Sequence, residues 1–132
     1  MPLGTPTYMS PEQITGATDV DLRADIYSFA CVVYELFTGR PPFIGTTVVQ
    51  LLQAHMAMTP EPPSRHRAGL GPTIDAAILK ALAKDPDQRQ GTVGRFVADL
   101  GPLPAAAISE GPATPPPTPE AKGFLGRLFG KR

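Results

Sequence analysis

Apolar residues recur at helical spacing in four stretches of this chain, and glycine and proline mark the breaks between them. The longest stretch begins at Leu22 and runs through Ile26, Phe29, Ala30, Val33, Tyr34 and Phe37 on one side. Tyr27, Val32 and Leu36 occupy the other sides, so the pattern predicts a helix inside a domain, touched from every direction. Asp19 and Asp21 suit its start, where carboxylates meet the positive end of the helix dipole. Gly39 ends it, and Pro41-Pro42 prevent its return. A second helix is expected over Thr47 to Met56, with Val48, Leu51, Leu52 and His55 on one side. Pro60, Pro62 and Pro63 then enforce an extended stretch. Thr73 is expected to cap a third helix with the stripe Ile74, Ala77, Ile78, Ala81 and Leu82, stopping at Asp85 before a proline. Thr92 caps a fourth, carrying Val93, Phe96, Val97 and Leu100. Ahead of all four, residues 1–18 are turn-rich, with a short helix capped by Ser10 and opened by Pro11. No run alternates as a strand would. The pattern reads as mostly α.

After Leu100 the pattern stops. Residues 101–120 hold Pro102, Pro104, Pro112, Pro115, Pro116, Pro117 and Pro119, the composition of a stiff polyproline-type linker. The expected organisation is therefore a helical lobe over 1–101, a linker over 102–121 and a tail over 122–132. Composition agrees with a packed lobe: 42% of the 132 residues are hydrophobic, while 17 prolines and 13 glycines supply the breaks. The net charge of +0 excludes a nucleic-acid binder driven by bulk phosphate attraction. That zero conceals an asymmetry. Lys122, Arg127, Lys131 and Arg132 give the last twelve residues +4, and the rest of the chain carries the balancing −4. One cysteine excludes an internal disulfide, which suits a cytoplasmic setting. Neither a signal peptide nor an apolar run long enough to cross a bilayer is legible.

Three segments, in order, make the reading specific. Gly4-Thr5-Pro6-Thr7-Tyr8-Met9-Ser10-Pro11-Glu12-Gln13 resembles the activation-segment end of bacterial eukaryotic-like (Hanks-type) Ser/Thr protein kinases. Asp25-Ile26-Tyr27-Ser28-Phe29 through Tyr34-Glu35-Leu36-Phe37-Thr38-Gly39-Arg40-Pro41-Pro42-Phe43 resembles the block on that family's central helix. Ala81-Leu82-Ala83-Lys84-Asp85-Pro86-Asp87-Gln88-Arg89 is similar to its late ALxKDPxxR motif. The resemblance implies a partial kinase C-lobe of four to five helices. It assigns Thr5 and Pro6 to the substrate side, Thr5 also helping to hold the catalytic aspartate and lysine. It makes Glu12 and Arg89 a buried ion pair pinning the activation segment, with two separate surface charges as the alternative. Asp25 becomes the helix aspartate that bonds the catalytic-loop backbone; alternatively, it only favours its helix end. Ala30 departs from the family's usual glycine.

The phosphate chemistry of that family needs a glycine-rich cover, a strand lysine, a catalytic-loop aspartate and asparagine, and a metal-binding aspartate. None of these motifs occurs in the 132 residues, and His66-Arg67-Ala68 is a coincidental likeness to the catalytic loop. The expectation is therefore a kinase portion that begins late, through a truncated frame, a split gene or a decayed copy. It would bind neither ATP nor Mg²⁺ itself and be inactive alone. Its partners would be a protein substrate or the missing N-terminal kinase part. Loss of the catalytic-loop neighbours should also leave an apolar groove open on the central helix.

The remaining signals are smaller. Phe124, Leu125, Leu128 and Phe129, with the basic residues beside them, have the composition of a short interfacial anchor for an anionic membrane, weakened by three glycines. The competing function is thus a non-catalytic interaction module, peripheral at the membrane, against a simple solvated tail. Thr7, Thr114 and Thr118 are single candidate phosphate acceptors, and Pro112-x-x-Pro115 and Pro116-x-x-Pro119 fit a proline-ligand spacing or plain spacer. Cys31 reads as a small buried hydrophobe. His55 and His66 show no partner arrangement in the sequence and receive no ligand or base role.

Overall fold

Ser10 opens the first helix, α1 (Pro11–Thr15), in the computed structural model, which describes residues 6–104. Ser10 Oγ accepts the Gln13 N–H at 3.2 Å and Gln13 Oε1 accepts the Ser10 N–H at 3.0 Å. This reciprocal cap satisfies two donors that a helix start otherwise leaves bare. Asp21 caps α2 (Leu22–Thr38) by accepting the Arg23 N–H at 2.9 Å. Gly39 ends α2 at φ +83°, a left-handed angle that side chains with a Cβ resist. Thr47 caps α3 (Val48–Ala57), α4 covers Pro72–Ala81, and Thr92 caps α5 (Val93–Leu100). Short 3-10 turns cover Pro6–Tyr8, Pro63–Arg65 and Pro86–Gln88. No strand occurs among the described residues.

The core forms where α2 meets α4 and α5. Ile26, Tyr27, Ala30, Cys31, Val33 and Tyr34 of α2 join Ile74, Ala77, Ile78 and Ala81 of α4, with Phe96 and Leu100 of α5. Phe29 meets Phe96 edge to face, 5.8 Å between centroids. Each large apolar side chain hidden here contributes about 1.5–3 kcal/mol. Truncating Ile78, which is fully buried, would cost about 2–5 kcal/mol through lost contacts and a cavity. This core is the platform on which the N-terminal segment rests.

Several expectations need correction. The helix cap ahead of α4 is Gly71, with Pro72 in the first turn, and not Thr73. Proline's fixed φ and missing N–H suit the first helical position, so the helix starts before the predicted cap. It also ends at Ala81, short of Asp85, whose carboxylate instead caps the turn at Pro86–Gln88. The proline-rich stretch after α3 is not wholly extended, because Pro63 opens a 3-10 turn. Val48, Val93 and Val97 lie exposed, since α3 and α5 bury only narrow faces around Ala54-His55 and Phe96-Leu100. The central helix is not enclosed on every side. Leu22, Asp25 and Leu36 are open, with half-buried Phe29 and buried Val32 between them along the helix.

Candidate functional site

Arg89 follows the last 3-10 turn and reaches back across 77 positions to Glu12 in the first turn of α1. Its Nη1 lies 2.6 Å from Glu12 Oε2 and its Nη2 lies 2.8 Å from Oε1, a fork-to-fork pairing. The other guanidinium donors bond backbone carbonyls: Nε to Ala83 at 2.8 Å, Nη1 to Arg23 at 2.8 Å, Nη2 to Lys84 at 3.2 Å. All five N–H groups of the guanidinium are thereby used. Its side chain is fully hidden, while 12% of the Glu12 side chain remains open. Burial pushes the Glu12 carboxyl up, but the bonds and charge of Arg89, with a backbone and a Ser10 hydrogen bond, together outweigh it and hold the group below its ordinary value.

Tyr27 stands beside this clamp. The Arg89 guanidinium lies over its ring at 5.0 Å, and its hydroxyl meets His55 Nδ1 at 2.7 Å. His55 Nε2 lies 2.9 Å from the Thr7 carbonyl oxygen. One residue on, the Tyr8 carbonyl accepts from Ser28 Oγ at 2.6 Å, and the Tyr8 hydroxyl donates to Glu35. Burial first, and then Glu35, push the Tyr8 phenol well up, so it stays a donor. Segment 6–13 is therefore held by α2, α3 and the Arg89 loop together. Burial lowers His55 to about 4, which keeps the imidazole neutral near pH 7.

Of the residues singled out in the sequence, Glu12 and Arg89 are brought together. Pro6 is half-buried at the start of the first 3-10 turn, and Thr5 lies outside the described residues. Asp25 lies exposed in the first turn of α2, and its side chain makes no hydrogen bond or ion pair to another described residue. The linker beyond 104 and the tail at 122–132 also lie outside the described residues. Sequence reasoning missed the Tyr27–His55–Thr7 chain and the Tyr8–Glu35 and Ser28 bonds. These join positions 20 to 48 residues apart, and only the place of His55 on the inner face of α3 hinted at them. His66 also has a partner, Glu61 at 3.3 Å, on the surface.

ATP and Mg²⁺ require converging carboxylates and a backbone cradle for phosphates. No three His, Cys, Asp or Glu side chains among the described residues converge as a metal site, and the sequence has no Gly-x-Gly-x-x-Gly.

A helical lobe around a buried central helix, with its N-terminal segment clamped by a bidentate Glu–Arg pair, has the form of the C-terminal part of a protein kinase. The profile of the protein kinase domain matches residues 1–97, and the chain belongs to that family, on its bacterial Hanks-type Ser/Thr side. It is 51% identical over 98 residues to serine/threonine-protein kinase PknB of Mycolicibacterium smegmatis, covering 74% of this chain and 16% of the relative. PknB of Mycobacterium leprae is 47% identical over 98 residues, with the same coverage. The probable serine/threonine-protein kinase PknB of Corynebacterium glutamicum is 44% identical over 111 residues, covering 81% of this chain and 17% of the relative. The chain thus spans about one-sixth of the length of these relatives. No helix among the described residues is long and apolar enough to cross a membrane.

Proposed function

We propose that residues 1–101 form the peptide-facing part of a Ser/Thr kinase C-lobe, and that residues 1–132 alone do not transfer phosphate. The observation that carries this reading is the fully bonded Arg89–Glu12 clamp, which fixes segment 6–13 against the central helix. On this reading Thr5 and Pro6 face the protein substrate, and Asp25 is the acceptor left for a catalytic-loop backbone supplied from outside these residues. Its exposure supports that role. ATP and Mg²⁺ would be held by that other part, with cytoplasmic chemistry on a protein Ser or Thr. The limits at 101 and 121, and a weak contact of residues 122–132 with an anionic membrane, belong to the same proposal.

The test is a phosphorylation assay with purified chain, labelled ATP, Mg²⁺ and a generic Ser/Thr substrate protein. No incorporation above blank is expected. ATP-dependent incorporation that Thr5→Ala or Asp25→Ala abolishes would refute the inactivity of the chain alone. A non-catalytic, membrane-touching module predicts vesicle co-sedimentation that disappears when residues 121–132 are deleted.

A further inference from the structure

We infer that His55 is a positioning residue for the substrate-side segment: as the neutral Nε2–H tautomer, it fixes the Thr7 carbonyl from α3. This deepens the substrate-platform reading above and rests on it. The tautomer follows from the partners. A carbonyl oxygen only accepts, so the nitrogen 2.9 Å from Thr7 O must carry hydrogen. In a neutral ring the other nitrogen is then bare, and the Tyr27 hydroxyl 2.7 Å away donates to it. An imidazolium could satisfy the same two contacts, but His55 is fully buried with no carboxylate in contact. The charged groups facing it are cations: Lys84, whose Nζ bonds the Ala54 carbonyl at 3.3 Å, and Arg89 behind the Tyr27 ring.

The ring has little freedom to turn. Phe43 packs edge-on against it at 5.1 Å between centroids, and the Tyr27 ring lies at 5.6 Å. Thr7 and Tyr8 thus present consecutive carbonyls to two different helices, Thr7 to His55 of α3 and Tyr8 to Ser28 of α2. Two neighbouring peptide units bonded from separate directions define the path of the backbone at Thr7-Tyr8. That path sets where Pro6, immediately before it, meets a peptide on that reading. Tyr27 links this post to the Arg89–Glu12 clamp, because its hydroxyl serves one and its ring face the other.

The test uses the full chain, isotope-labelled, at pH 7. Nitrogen spectra of the His55 ring should show a protonated Nε2 and a bare Nδ1. An Nδ1–H tautomer or an imidazolium would overturn the inference. Amide exchange at Thr7, Tyr8 and Met9 should rise about tenfold in His55→Leu, the equivalent of one lost buried hydrogen bond. Amides of α2 and α4 should keep their protection. His55→Gln, which retains a donor near the Nε2 position, should recover part of the loss. Unchanged exchange at 7–9 in folded His55→Leu would also overturn it. Should His55→Leu fail to fold, Tyr27→Phe decides: it spares the ring packing, and exchange at 7–9 must still rise. Titration with a Ser/Thr-containing peptide separates the two readings. Binding weakened in step with exchange supports both. A chain that binds no peptide, while exchange responds as expected, refutes the substrate platform and leaves the His55 post standing.

Discussion

Replacing Glu12 with alanine should destabilise the lobe out of proportion to the atoms removed. In the parent, Arg89 spends two of its five donors on the Glu12 carboxylate and three on the carbonyls of Ala83, Arg23 and Lys84. Glu12→Ala keeps the three and strands the positive charge in a site where the Arg89 side chain has no exposure. Removing one partner of a buried pair costs about 3–5 kcal/mol. Water can approach from the Glu12 side, 12% of which is open, so the lower end of that range applies, about 3 kcal/mol. Arg89→Met removes the charge but frees three carbonyls and leaves a carboxylate that water can reach. Once either partner is gone, removing the second should cost much less. The double variant should therefore be more stable than the sum of the single losses by about 2 kcal/mol.

Urea unfolding followed by far-ultraviolet circular dichroism measures all four corners of this cycle. With a denaturant slope of about 1 kcal/mol per molar for a lobe this small, Glu12→Ala should lower the midpoint by about 3 M. A coupling energy within about 0.5 kcal/mol of zero would refute the reasoning, because the two side chains would then act as independent surface charges. The acid limb offers a second reading of the same pair. The bound carboxyl titrates below its ordinary value, so its stabilisation is complete above about pH 4.5 and is lost as pH falls through the depressed value. Glu12→Gln should flatten that limb.

Three further outcomes are expected. His55 is lowered from 6.5 to about 4, so the stability its neutral form confers is complete above pH 6.5 and lost as pH falls toward 4. The ceiling is about 3 kcal/mol, and urea midpoints for parent and His55→Leu should converge across that window. Tyr27 and Cys31 keep their protons throughout it, and Lys84 keeps its charge, so none of these three neighbours supplies the effect. Burial pushes the Cys31 thiol far up, so a thiol reagent at pH 8 should label it only at the rate of lobe opening; fast labelling in native buffer would contradict its place in the core. Gly39→Ala should cost about 1–2 kcal/mol in thermal or urea unfolding, entirely from the left-handed backbone, because an added Cβ would meet nothing within 4 Å.

Local rules made much of the fold legible. Ser10, Asp21, Thr47 and Thr92 each cap a helix as short-range hydrogen-bond chemistry expects, and Gly39 closes α2 where its missing Cβ permits. Local rules also explain the miss at α4, where Pro72 could start a helix one position ahead of the supposed Thr73 cap. Exposure was harder. Val48, Val93 and Val97 satisfy a helical period as well as any core residue does, but periodicity records only which positions share a face. Whether a neighbour covers that face depends on packing between elements. The pairing of Glu12 with Arg89 came from motif resemblance, since no spacing rule links positions 77 residues apart.

His55 shows the limit most clearly. A single histidine on a short apolar helix offers no sequence signal of its tautomer, because the two groups that set it lie on other elements. Tyr27 sits 28 residues away and Thr7 sits 48 residues away. Tyr27 is equally ambiguous in sequence, one aromatic among several along the central helix. Folding gives its two ends different tasks, the ring face beneath Arg89 and the hydroxyl against His55. Tyr27→Phe preserves the first contact and removes the second. Its effect on exchange at Thr7-Tyr8, with the Glu12–Arg89 coupling left intact, distinguishes a helix that merely fills the core from one that holds the segment by two separable attachments.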